Sequence, residues 1–185
     1  MLINHSHLVL DACCVLNLCA SGHLIKILKS ISAQVVVAEV VSSKELITLK
    51  RVEECIENDL DTFEGAISQG IIEIEDFITE SEQNDFINYA FQLGDDGESA
   101  TFAIAANRNW AVATDDKRAI SFFSREASKI QLLSSLDILK HYADETQLPP
   151  LELNTLLREV RYRGKYIAHK NHPLRGWWEN SIKMN

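Results

Sequence analysis

Two short apolar runs in this chain end abruptly in a carboxylate: His7-Leu-Val-Leu-Asp11 and Trp110-Ala-Val-Ala-Thr-Asp115. Runs that are continuously apolar, rather than alternating, are the mark of strands covered on both faces of a sheet. Ala33-Gln-Val-Val-Val37 and Ile130 to Leu133 read the same way, and Ile71 to Glu75 alternates apolar and acidic residues as a half-exposed strand does. Helical periods fill the intervals. Leu24, Ile25, Leu28 and Ile31 share one face, residues 39–50 read as a helix, and Arg51 to Ser68 shows the clearest period. Further helices are predicted over 82–92, Ala100 to Ala106, 117–126 and 135–143, with Gly94-Asp-Asp-Gly97 as a turn. Strands alternating with helices predict a three-layer α/β/α sandwich on a mostly parallel, Rossmann-like sheet. Pro149-Pro150 marks a boundary. It divides a domain over 1–148 from a basic, aromatic extension over 149–185, which opens with a helix from Leu151 to Arg161.

In an open α/β sheet, ligands bind outside the carboxyl ends of the strands. Asp11 and Asp115 fall at two such ends, and Glu98 opens a helix that leads into the second of these strands. Glu39 and Glu45 lie on the helix after the second strand. Carboxylates converging on one crevice repel each other unless a cation sits between them, and all-oxygen ligands suit Mg²⁺ or Mn²⁺. Each acid also has a structural explanation. Asp11 can cap the next helix, Glu98 suits a first helical turn, and one of Asp115 and Asp116 is expected to be an N-cap.

Other chemistries lack their residues. The chain has no GxGxxG, no GxxxxGK[ST], no GxSxG and no HExxH. Of its four cysteines, Cys13 and Cys14 are adjacent, and Cys19 and Cys55 stand apart. None forms a CxxC pair, and no Cys/His cluster has zinc-ligand spacing. Cys13 and Cys14 are expected to pack rather than attack. Reduced thiols, no basic residue ahead of the first apolar run and no apolar run near the roughly 20 residues that span a bilayer lead to the expectation of a cytoplasmic protein with no membrane partner.

Leu8-Val-Leu-Asp-Ala12, Gly94-Asp-Asp-Gly-Glu-Ser-Ala100 and Ala113-Thr-Asp-Asp-Lys-Arg118 resemble the motifs of PIN domains, small Rossmann-like ribonucleases of which many are VapC-type toxins of bacterial toxin–antitoxin pairs. The resemblance covers about residues 7–143, and the "GE" and "TDD" pair resembles a prokaryotic PIN subgroup. It implies a metal-dependent endoribonuclease that cleaves RNA phosphodiester bonds with Mg²⁺ or Mn²⁺. Asp11, Glu45, Glu98 and Asp115 would be the catalytic acids, with Glu39 as the alternative to Glu45, and Asp11, Glu98, Asp115 and Asp116 would hold metal. Thr114 would position a water or a phosphate oxygen. RNA is the implied substrate, and an antitoxin protein or a second copy of the chain the implied partner. Two departures stand out: Cys13 and Cys14 occupy positions where the family often has Ser or Thr, and residues 144–185 extend beyond a minimal PIN domain.

Charge complicates the reading. The net charge is −9, but residues 150–185 hold seven basic and three acidic residues, so the tail carries +4 and the first 149 residues −13. Phosphate contacts carry much of nucleic-acid affinity, so an acidic body favours an alternative: a PIN-like module that binds RNA or protein without cutting. Arg158, Arg161, Arg163 and Lys165, interleaved with Tyr162 and Tyr166, suit single-stranded RNA. The same tail could instead dock on its own body, with Trp177 and Trp178 filling an apolar groove.

Overall fold

The computed structural model describes residues 3–45, 57–127 and 129–183. A five-stranded sheet forms its centre, built from β1 (His7–Leu10), β2 (Gln34–Ala38), β3 (Ile72–Glu75), β4 (Ala111–Ala113) and β5 (Leu132–Leu133). Every pairing is parallel and the order is β3-β2-β1-β4-β5. The chain builds outward from β1 through β2 to β3, then crosses back to lay β4 on the other side of β1. The topological switch point therefore lies between β1 and β4, which is where ligands bind in sheets of this kind.

The strands alternate faces as the pleat requires. Leu8 and Leu10 of β1, Val35 and Val37 of β2, and Ala111 and Ala113 of β4 join one core, while Val9, Val36 and Val112 join the other. The first core is covered by α1 (Ala12–Ala20), α2 (Leu24–Lys29), α3 (Glu57–Ser68) and α7 (Ser135–Glu145). The second is filled by Phe102 and Ala105 of α5 (Asp96–Arg108) and by Ala119, Phe122 and Phe123 of α6 (Lys117–Glu126). Helix α4 (Glu80–Leu93) packs beside α5. Among the described residues no helix is long and apolar enough to cross a membrane.

Several boundaries differ from the sequence reading. The helical face from Leu24 to Ile31 does not continue into α1, because Gly22 takes a left-handed backbone conformation at φ +71° and splits the segment in two. The helix expected over 39–50 is helical where described, but only as a short α-helical start over 39–40 that passes into a π-helical turn over Val41–Glu45. Residues 46–50 lie outside the described residues. Helix α3 is described from Glu57, so residues 51–56, with Cys55, also lie outside them. Gly94-Asp-Asp-Gly97 is only half a turn: Gly94, at φ +72°, ends α4, Asp95 caps α5, and Gly97 is already helical.

The C-terminal residues complete the first core instead of trailing from it. Helix α8 (Pro150–Tyr162) begins with Pro150 in its first turn, where the missing N–H is no loss. Its Leu156, Leu157 and Val160 share a core with Leu8 and Leu10, as do Ala168 and Trp178. A helix the sequence reading did not anticipate, α9 (Arg175–Lys183), is held to α8 by Asn154, whose Nδ2 donates to the carbonyls of Ser181 and Ile182 at 2.8 Å. Gly164 passes so close to α1 that a Cβ there would lie 2.8 Å from Asn17 Oδ1 and 2.7 Å from the Val160 carbonyl. The tail therefore docks on its own body, the alternative held open above.

Candidate metal centre at the switch point

Asp11 follows β1 directly and starts α1. Its backbone N–H donates to the Ala113 carbonyl at 3.0 Å, extending the β1–β4 ladder by one rung. Its Oδ1 caps the helix by accepting the Ala12 N–H at 2.8 Å. Its Oδ2 accepts the Thr114 hydroxyl at 2.9 Å and the Cys13 thiol at 3.1 Å. Asp11 is 3% exposed, and burial pushes its carboxyl above the ordinary carboxylate range, against the pull of those hydrogen bonds.

Asp115 stands across the switch point, two residues beyond β4. Its Oδ1 accepts the Ser135 N–H at 3.1 Å, and its Oδ2 accepts Asn17 Nδ2 at 2.9 Å and the Ser135 hydroxyl at 2.5 Å. Burial raises its pKa also. Among the described residues, neither Asp11 nor Asp115 has a cationic partner. A carboxylate out of water without a counter-charge, as Asp11 is and the half-buried Asp115 in part, is costly, and the dipolar hydrogen bonds around it offset only part of that cost.

A thiol separates the two acids. Cys13 Sγ donates to Asp11 Oδ2 and accepts the Asp115 N–H at 3.2 Å. Cys14 is fully buried and its thiol lies 3.7 Å from Asp115 Oδ2. The ligand atoms of Cys13, Cys14 and Asp115 all fall within 4.8 Å of one another. Both cysteines pack as expected of them, Cys14 within the core and Cys13 at its edge, and both also place their thiols against carboxylates. Sequence spacing gave no sign of this cluster, because its third member lies 101 residues from Cys14 and arrives by strand pairing.

The other expected site residues are placed as follows. Asp116 is the N-cap of α6, its Oδ1 accepting the N–H groups of Arg118 and Ala119 at 2.7 and 2.8 Å. That fulfils the expectation that one of the two adjacent acids is a cap. Thr114 is buried, and its hydroxyl both donates to Asp11 and accepts the Asp116 N–H at 3.1 Å, so it orients the Asp11 carboxylate. Glu98 is half-buried in the first turn of α5, whose cap Asp95 accepts the Glu98 N–H at 2.8 Å. Neither Asp11 nor Glu98 is in the group within 4.8 Å. Glu45 ends the π-helical turn after β2, its side chain lying outside the described residues, and Glu39 is exposed.

Beside Asp115 a cavity of about 320 Å³ opens between α6 and the segment Tyr166–Pro173. Its basic side chains are Lys117, His169 and His172, none of them among the four expected to bind RNA. Partial burial, with Lys117, Lys170, Arg175 and His172 nearby, holds the His169 imidazole below its usual pKa. Arg158, Arg161 and Lys165 are exposed, whereas the Arg163 guanidinium is turned inward to donate to the Ala20 carbonyl at 3.1 Å. His172 contacts the Ser134 hydroxyl at 2.9 Å, tying the tail to the start of α7. Compared with protein-family models, curated proteins and solved structures, the chain has no significant match.

Proposed function

We propose that this protein is a divalent-metal-dependent hydrolase of RNA phosphodiester bonds, centred on Asp11 and Asp115. The observation that carries the reading is the pair of carboxylates, Asp11 buried and Asp115 half-buried, without a described cationic partner, at the ends of the two strands that flank the switch point. A bound Mg²⁺ or Mn²⁺ supplies Lewis acidity, polarising a phosphate oxygen and lowering the pKa of a bound water. Hard oxygen donors of this kind fit such ions. Thr114 and the Ala12 N–H fix the orientation of Asp11, and Ser135 and Asn17 fix that of Asp115. The cavity beside Asp115, rimmed by Lys117 and His169, is open to an anionic strand despite the acidic body. Glu98, with Glu45 or Glu39, would complete the acid set that the PIN resemblance implies.

The test is cleavage of a labelled single-stranded RNA by the purified protein with Mn²⁺, set against Asp11→Asn. The parent should cut and the variant should not, while both keep the same circular-dichroism spectrum. Equal cleavage by the two would remove Asp11 from the chemistry. Binding without cleavage by the parent would favour the non-catalytic module. A toxin role predicts in addition that expression of the parent, but not of Asp11→Asn, arrests growth of the host.

A further inference from the structure

We propose that Cys13, Cys14 and Asp115 form a binding site for a thiophilic divalent cation of the zinc class. The donor set argues for the ion. Two sulfurs and one carboxylate oxygen match the soft-to-borderline preferences of Zn²⁺ and not those of Mg²⁺. The dimensions argue for it too. Zn–S bonds of about 2.3 Å and Zn–O bonds of about 2.0–2.2 Å at tetrahedral angles require ligand atoms roughly 3.5–3.8 Å apart. Cys14 Sγ and Asp115 Oδ2 are 3.7 Å apart, and all three ligand atoms lie within 4.8 Å, so small side-chain rotations complete the triad.

The surroundings resemble an outer shell already in place. Asn17 Nδ2 and the Ser135 N–H and hydroxyl hold the carboxylate of Asp115, as the partners of metal-bound carboxylates do. Asp115 lines the 320 Å³ cavity, so one of the three ligands faces open space while Cys14 lies behind it in the core. On binding, two S–H protons leave to solvent and two thiolate–metal bonds form.

The site exists whether or not the protein cleaves RNA. If the hydrolase reading holds, the two share Asp115, and Zn²⁺ would withdraw that acid from the hard cation and inhibit.

The test is titration of the reduced protein with Co²⁺ as a spectroscopic substitute for Zn²⁺. Expected are a thiolate-to-cobalt charge-transfer band and tetrahedral d–d bands, both abolished by Zn²⁺. Loss of an outer-shell partner weakens metal sites by about 10–100-fold, so C13S, C14S and D115N should each lose more than about tenfold in affinity. C19S and C55S should leave the bands intact. Should C14S fail to fold, protection of Cys13 from alkylation by Zn²⁺ in the otherwise native chain gives the same answer. The proposal fails if no charge-transfer band forms, if the band survives in both C13S and D115N, or if C55S alone abolishes it. Measuring cleavage beside binding separates the two readings: a Co²⁺ site in a protein inert toward RNA keeps this one and sinks the other.

Discussion

The Thr114 hydroxyl donates to Asp11 Oδ2 at 2.9 Å, so the residue that follows β4 aims the acid that follows β1. The same oxygen accepts the Asp116 N–H, which fixes the hydroxyl's direction. Thr114→Val keeps the shape and removes the donor. Its loss should leave the fold intact, cost about 1–3 kcal/mol, and lower Mn²⁺ affinity about 10–100-fold. A thermal-shift titration with Mn²⁺ measures both, and unchanged affinity would detach Asp11 from metal binding.

Stability and metal binding should respond to pH in opposite directions. Burial raises the carboxyl pKa of Asp11 and of Asp115 in the folded state. The folded protein therefore binds protons more tightly than the unfolded chain, and these two groups lose stability as pH rises from the ordinary carboxylate pKa through the raised values. Metal binding needs the ionised forms, so the gain in Tm from Mn²⁺ should be larger at about pH 8 than at about pH 5. Asp11→Asn should remove part of both effects. A metal shift that does not change with pH would place the ion elsewhere.

Asp116 should behave differently from its neighbour. It spends Oδ1 on two N–H groups of α6, so Asp116→Ala removes a helix cap. The expected cost is about 0.5–2 kcal/mol, with Mn²⁺-dependent cleavage retained. Loss of cleavage in a variant that keeps its melting temperature would return Asp116 to the set of ligands.

The sheet and the carboxylates were legible in sequence because their signals are local. A continuously apolar run ending in Asp names both a strand and its end, as at Leu10-Asp11 and Ala113-Thr114-Asp115. What was not legible depends on pairing between distant residues. Cys13 reads as an ordinary helix residue until the Asp115 N–H reaches its sulfur. Ser135, which gives Asp115 two hydrogen bonds, carries no motif, although it lies in the first turn of a capped helix. The tail read as basic and aromatic because Arg158 and Arg161 face outward, while Leu156, Leu157 and Val160 of the same helix do the packing.

That packing sets the outcome of a truncation before Pro150. Leu156, Leu157, Val160, Ala168 and Trp178 would leave the core. Each large apolar side chain contributes about 1.5–3 kcal/mol, against a total stability of about 5–15 kcal/mol. The shortened chain should aggregate or melt far below the parent in circular dichroism and size-exclusion chromatography. A soluble, cooperatively folded fragment would make residues 150–185 a separable appendage.

The strand order also dictates when the centre comes into being. Strand β1 is among the first segments made, but its partner β4 follows about a hundred residues later, and Ser135 and Gly164 later still. A nascent chain on the ribosome thus carries Asp11 and Cys13 long before anything can hold them in place. Non-local pairing of this kind is slow to form, and every fragment that stops short of it lacks one side of the crevice. The centre is therefore absent until these late segments are made: a chain interrupted before them carries one side of the crevice, not a weakened version of it.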